Sequence, residues 1–418
     1  MLILRFFLFL LPFQFALSPS DGVDLPVARV LAASIFIVWI LSGIWKRTLR
    51  VQWGLQTAFF LSFGFFLAVS VSVADESAWA WRKFFFLASF LPLYFIFLEK
   101  ISEHEHQGLA LVRSFVLGAC LSALVGILQV AAQLLIPIET LFAWWTRTLL
   151  PFFLGDTFAA VVAEYPSLLA NISGETVMRA SAFFPDPHMH GFFLGLALPF
   201  AIFFAWKDKT AFWKWGAGIL FVADLLTFSR GAYLGLMFAC VGFIAYLVSQ
   251  KKGNVRKLFI GMCLVVTVFL IPNPITERFW SSFSRQDGSV AARLALYQGA
   301  VSSIGERPLM GVGLGNYPLV VKPSAERRDP IYVHNLWLDL AVEIGFIGTA
   351  FLLLFFMRTL WIEYTRCRQG TEWLSLAVIG SLLIFFGHSL VETPIFSVQV
   401  LPIFLLVLAL GNRSYDQK

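Results

Sequence analysis

Blocks of apolar residues long enough to cross a bilayer recur along this 418-residue chain, and no other feature limits its fold as strongly. A spanning helix needs about 20 largely apolar residues. Blocks of that kind are centred near residues 10, 37, 64, 91, 122, 198, 221, 241, 265, 348, 381 and 403. The expected fold is therefore an all-α polytopic membrane protein with about twelve transmembrane helices, one integral membrane domain over 1–418. Composition agrees, since 59% of residues are hydrophobic and only 13% charged, against about 25% charged in soluble domains.

Basic residues near helix ends are retained in the cytoplasm, so they set the orientation. Lys46, Arg47 and Arg50 follow the second block, Lys207, Lys209 and Lys214 the sixth, Lys251, Lys252, Arg256 and Lys257 the eighth, and Arg358, Arg366 and Arg368 the tenth. All four groups fall in the cytoplasm if both termini do. The first outside loop, Ser18 to Val27, then carries Asp21 and Asp24 and no base. Arg5 ahead of the first block and small residues at Ala16 to Ser18 leave a cleaved signal peptide as a second reading of that block. Either way, two long segments face outward, 137–190 and 272–333. The four cysteines, Cys120, Cys240, Cys263 and Cys367, sit in helices or on the cytoplasmic side, so no outside disulfide is expected. The net charge of +6 suits an anionic leaflet and not nucleic acid. The chain shows no sustained repeat, Walker loop or HxxEH-type zinc motif.

Candidate chemistry collects at the outer ends of the helices. His334 and Asn335 open the run HNLWLDLAVEIGFIGT, which holds an imidazole at the mouth of a strongly apolar helix. Such a residue has a functional reading by default. Asn335, Asp339 and Glu343 recur every fourth residue and share one helix face, where carboxylates are expected to pair with arginines. The second outer segment carries Arg278, Arg285, Arg293, Arg307, Lys322, Arg327 and Arg328 against Glu277, Asp287, Glu306, Glu326 and Asp329. This excess of base on the wrong side calls for an anionic ligand or for contact with headgroups.

Arg293 begins an amphipathic stretch that ends at Pro308 and the turn GVGLGNY (311–317), read as a loop that shapes a site. Ser229, Arg230 and Gly231 form the tip of a tight outer hairpin. Guanidinium binds phosphate as a fork, so Arg230 and Arg293 are candidates for a diphosphate clamp, with snorkelling to the interface as the alternative for Arg230. Arg179, His188 and His190 lead into the sixth block through FFPDPHMHGFF. Helix entry or substrate contact is preferred there over a metal, since third and fourth ligands are lacking nearby. Lys83, beside Arg82 and after Trp79 and Trp81, reads as an interfacial anchor or as a further cation for a phosphate site. His388 and Glu392 lie at another outer turn and read as structural.

The HNLWLDLAVEIGFIGT run, the Ser229-Arg230-Gly231 hairpin and the Arg293 segment running into GVGLGNY together resemble the O-antigen ligase and polymerase superfamily of bacterial membrane glycosyltransferases. The resemblance implies metal-independent, cofactor-free glycosyl transfer on the periplasmic or outer face of the bacterial inner membrane, from a glycan on undecaprenyl diphosphate. It implies His334 at the acceptor, and Arg230 and Arg293 at the donor diphosphate, with Arg179 and Lys83 as further matches. Asn335, Glu343 and His188 complete the candidate substrate-binding set. FFPDPHMHGFF departs from the Pro-Asn found there in the family, so His188 and His190 inherit no role from it. A lipid diphosphate is a good leaving group, and an imidazole of ordinary pKa near about 6.5 can take a hydroxyl proton, so direct displacement would invert the anomeric centre. Ligation onto an acceptor such as lipid A core is the first reading. Polymerisation of lipid-linked repeats, transfer to protein hydroxyls and transport are the others, and transport is disfavoured by ionisable residues at one face and by the lack of related halves.

Overall fold

A computed structural model of the protein describes residues 1–20, 23–49, 51–164, 166–172, 174–250, 276, 288–323, 331–370 and 373–413. Helices dominate. In chain order they are α1 (Leu2–Leu10), α2 (Val27–Trp45), α3 (Leu55–Ser72), α4 (Ser77–Phe90), α5 (Leu93–Glu103), α6 (Glu105–Ala132), α7 (Ile138–Trp144), α8 (Leu150–Leu154), α9 (Asp156–Glu164), α10 (Pro187–Lys207), α11 (Ala211–Leu226), α12 (Arg230–Gln250), α13 (Gly288–Glu306), α14 (Tyr317–Val321), α15 (Leu336–Gln369), α16 (Trp373–Ser389) and α17 (Val400–Gly411). Two small antiparallel hairpins accompany them, β1 (Ala16–Ser20) with β2 (Val23–Pro26) and β3 (Leu169–Ile172) with β4 (Glu175–Met178).

Among the described residues, seven helical segments are long and apolar enough to span a membrane: α2, α3, α4 running into α5, α6, α10, α12 and α15. They coincide with the blocks at 37, 64, 91, 122, 198, 241 and 348. The blocks at 10, 381 and 403 form shorter apolar helices, and α11, near 221, has 16 residues. The block at 265 lies outside the described residues, as do Asp21, Arg50, the basic group 251–257, Cys263, Glu277, Arg278, Arg285, Asp287, Glu326, Arg327, Arg328 and Asp329. Seven of the twelve expected blocks thus form helices of spanning length among the described residues, since a run of apolar composition does not specify where its helix is interrupted. Pro92 separates α4 from α5, and the turn Thr227–Ser229 ends α11.

The centre of the bundle is α10, α16 and α17. Every residue of α17 is buried, and α16 packs between α10 and α12. A helix that is apolar all round can take such a place, since it has no polar face to keep wet. The segment 137–190 folds into α7 to α9 and the β3–β4 hairpin over its own small core, which includes Leu141, Trp145, Leu150 and Met178. Gln129 and Gln133 of α6 anchor it: Gln129 Oε1 accepts from the backbone N–H groups of Ser181 and Ala182, both at 2.9 Å, and Gln133 Oε1 accepts from Met178 N at 2.7 Å.

Helix α15 breaks at Gly345, where φ is 74° and ψ 174°. The segment 308–313 fills the break. Val312 N donates to Val342 O at 2.8 Å, Gly313 N to Glu343 O at 3.1 Å, and Phe346 N to Pro308 O at 2.8 Å, so backbone groups freed by the break regain partners. A Cβ on Gly345 would stand 2.0 Å from Leu309 O, and the positive φ disfavours any L side chain there. This close approach gives the first glycine of the HNLWLDLAVEIGFIGT run a physical reason. It also shows what the GVGLGNY turn does, which is to wedge against α15 and to meet the α3–α4 turn through Asn316, whose Oδ1 accepts from Glu76 N at 2.7 Å.

Candidate functional site

His334 and Glu392, 58 residues apart, meet at one end of the bundle, where His334 Nδ1 lies 2.9 Å from Glu392 Oε2. Arg293 of α13 reaches the other oxygen, its amino nitrogen 2.6 Å from Glu392 Oε1. His188, at the start of α10, faces that oxygen with Nε2 at 3.8 Å. One nearly buried carboxylate thus collects an imidazole from each of two helix entries and a guanidinium from a third element. His334 is the open member, with 39% of its side chain exposed against 7% for Glu392.

Three further contacts hold His334 and Glu392 in register. Asn335 caps α15 by accepting from Trp337 N and Leu338 N, and its amide donates to Leu390 O at 2.9 Å. Asp339, 1% exposed, accepts from Val333 N at 3.0 Å and from the Thr393 hydroxyl. A single carboxylate therefore fixes the neighbour of each partner in the pair. Lys83 supplies the third tie. Its ammonium is buried between both oxygens of Glu343, at 2.8 and 2.6 Å, and sits 3.6 Å from the Phe396 ring centroid and 5.5 Å from that of Tyr332. Those two rings stack on each other and flank Glu392 and His334 in the chain.

Helix α13 presents Arg293 and Tyr297 one turn apart on the same face. Tyr297 donates to His334 O at 3.2 Å while Arg293 holds Glu392. His334 itself has φ 56°, a left-handed conformation that costs a non-glycine residue about 1–3 kcal/mol. The cap, the Tyr297 hydroxyl and the Val333–Asp339 bond keep it there.

The charges act on one another as their spacing requires. Burial alone lowers the His334 pKa, but the Glu392 charge and hydrogen bond outweigh it, and the net value is raised above the ordinary one. Burial likewise pushes Glu392 up, yet His188, His334 and Arg293 together hold it well below the usual carboxylate range. Glu392 is thus an anion that orients the imidazole and partly offsets the Arg293 charge.

Arg230 opens α12 directly after Ser229 and is half-buried. Ser229 Oγ lies 2.8 Å from His188 Nδ1 and 3.2 Å from His388 Nε2. Gly231 makes room for the His388 ring, since a Cβ there would come within 2.1 Å of His388 Cδ2. Arg179 is 2% exposed and donates to the carbonyls of Thr227 at 2.7 Å, Ser167 at 2.9 Å and Phe228 at 3.2 Å, tying the 137–190 segment to the α11–α12 turn. His190 turns away from His188 and bonds Ser122 Oγ and Ala180 O, both at 3.0 Å. The carboxylates expected to pair with arginines do otherwise: Glu343 pairs with Lys83, and Asp339 takes a backbone N–H and a hydroxyl. Sequence reasoning passed over Glu392 and His388 as structural. Their only signal was a His and a Glu four residues apart at an outer turn, and nothing in a linear chain joins that turn to His334.

Breaking the Lys83–Glu343 pair should be costly, because removing one partner leaves a buried charge without compensation. Lys83→Met is expected to destabilise the protein by about 3–5 kcal/mol, read as a fall in its thermal aggregation midpoint in detergent. The double variant Lys83→Met, Glu343→Leu should recover most of that loss. Equal instability of the single and double variants would show that packing, not charge, holds this place.

These features define a membrane protein with an ionisable cluster at one end of its helix bundle. Residues 215–353 match the family model described as O-antigen ligase, so this part of the chain is similar to the O-antigen ligase superfamily, a glycosyltransferase-like enzyme family. The matched stretch includes Arg230, Arg293, His334 and Glu343, whereas Glu392 lies beyond it. A comparison with curated proteins finds no match. Family and apolar helices together point to a bacterial inner-membrane protein.

Proposed function

We propose that the protein is a ligase-like membrane glycosyltransferase that moves a glycan from undecaprenyl diphosphate onto a hydroxyl of an acceptor such as lipid A core, on the periplasmic or outer face. The observation that carries this reading is the His334–Glu392–Arg293 cluster, with His334 exposed and Glu392 buried behind it. Glu392 accepts from His334 Nδ1–H, which leaves Nε2 with its lone pair toward the open side. There it takes the proton of the acceptor hydroxyl as the oxygen attacks the anomeric carbon. The bond from that carbon to the diphosphate oxygen breaks, the configuration inverts, and Arg293 and Arg230 offset the charge that develops on the leaving group. No metal is required for this displacement, since the diphosphate leaves as a stable anion. Lys83, Glu343, Asn335, Asp339 and Arg179 act by holding the site together, and His188 by facing Glu392.

Reconstituted protein supplied with a lipid-linked glycan and either lipid A core or a second lipid-linked repeat unit tests the proposal. Extension of lipid A core is the expected result. Extension of the repeat unit alone would make the protein a polymerase, and transfer to neither would end the glycosyltransferase reading.

A further inference from the structure

Asp224 lies in α11, 1% exposed, and among the described residues neither of its carboxyl oxygens meets a hydrogen-bond donor. A second orphan is close by. His388 of α16 is fully buried, stacked on Phe192 with ring centroids 3.6 Å apart, and among the described residues has no partner at Nδ1. Both groups face the notch at Gly191, where a Cβ would stand 3.3 Å from Asp224 Oδ1 and 3.5 Å from His388 Cε1, the carbon between the two ring nitrogens. Buried polar groups ordinarily have partners, and an ionised carboxylate alone among apolar helices is costly.

The opposite edge of His388 decides which ring nitrogen carries its proton. Ser229 Oγ accepts from Ala232 N at 3.3 Å and bonds both His188 Nδ1 and His388 Nε2. A hydroxyl has one hydrogen and two lone pairs, and Ala232 occupies one lone pair, so Ser229 donates to one imidazole and accepts from the other. His188 Nε2 faces the Glu392 anion, which favours an N–H there over a lone pair. His188 Nδ1 is then the acceptor of the Ser229 hydroxyl, and His388 Nε2–H donates to Ser229. His388 Nδ1 is left as a bare lone pair at the notch it shares with Asp224. The charged and titratable groups that bear on this line are Glu392, Arg293 and Arg179 at its outer end, with Asp186 capping α10 beside His188.

We propose that Asp224 is a neutral carboxylic acid whose O–H reaches His388 Nδ1 through one water, and so completes a one-way hydrogen-bond chain from Asp224 through His388 and Ser229 to His188, whose Nε2 faces the Glu392 anion. Asp224 and His388 are positioning residues. They act through His188 on the carboxylate that orients His334, and this effect on transfer rests on the reading of His334 as the base. The protonation of Asp224 does not.

Infrared spectroscopy on the full-length protein in lipid nanodiscs separates the two. The wild type should carry a protonated-carboxyl C=O stretching band that moves in D2O and is missing from Asp224→Asn. If the two spectra match in that region, Asp224 is ionised and the proposal is wrong. In transfer assays Asp224→Asn, whose amide can donate in the same place, should stay within about twofold of wild type, while Asp224→Leu should lose about tenfold, the worth of one hydrogen bond. Equal loss in both variants would refute the donor role. Should Asp224→Leu fail to insert, the band and the asparagine variant still decide the matter.

Discussion

Replacing His334 with alanine is expected to leave a folded, membrane-inserted protein whose glycan transfer falls by about two to four orders of magnitude, the usual worth of a general base. The imidazole is the exposed member of the cluster, and its backbone is held by contacts that do not involve the ring: the Asn335 cap, the Tyr297 hydroxyl on the carbonyl, and the Val333–Asp339 bond. Loss of the ring therefore removes chemistry and leaves the scaffold. Lipid-linked donor should accumulate in cells that rely on the variant, measured by extraction and chromatography of the lipid pool. Transfer near the wild-type rate would take His334 out of the mechanism.

Glu392→Gln should move the pH dependence of transfer as well as slow it. His334 works as a base only when neutral, so activity rises as pH climbs through its pKa. In the wild type that pKa is raised, because the attraction of Glu392 exceeds the effect of burial, and the acid limb of the profile stands above the ordinary histidine value. With glutamine the attraction is lost and burial remains, so the limb shifts to lower pH. At its own plateau the variant should still be slower, by about tenfold or more, since the amide also leaves Arg293 without its carboxylate. The profile is measured as initial rate against pH with saturating donor. A limb that stays in place would mean that His334 is not the titrating group, or that Glu392 does not control it.

Much of the candidate site was legible in the chain because it depends on local chemistry. An imidazole at a helix mouth, an arginine at a hairpin tip and an arginine on a helix of a polar outer segment each stand out against apolar surroundings, and the structure brings two of them, His334 and Arg293, to one carboxylate. The carboxylate itself was not legible. Glu392 sits in a short turn between α16 and α17, and its importance comes from partners 58 and 99 residues away. Lys83 was equally ambiguous, since an exposed anchor and a buried ion pair have the same sequence context; only the approach of α4 to α15 makes Glu343 its partner.

By itself the sequence determined that the chain is helical and membrane-bound and that ionisable groups cluster at helix ends, because apolar length and the cost of charge in hydrocarbon are properties of short segments. Tertiary structure decided where the described helices begin and end, where α15 breaks to receive the 308–313 segment, and which charges meet. The physical reason is one of range. Burial of a helix face can be read over a few turns, whereas an ion pair or a hydrogen bond needs two particular atoms within about 3 Å, and that distance is set by every helix packed between them.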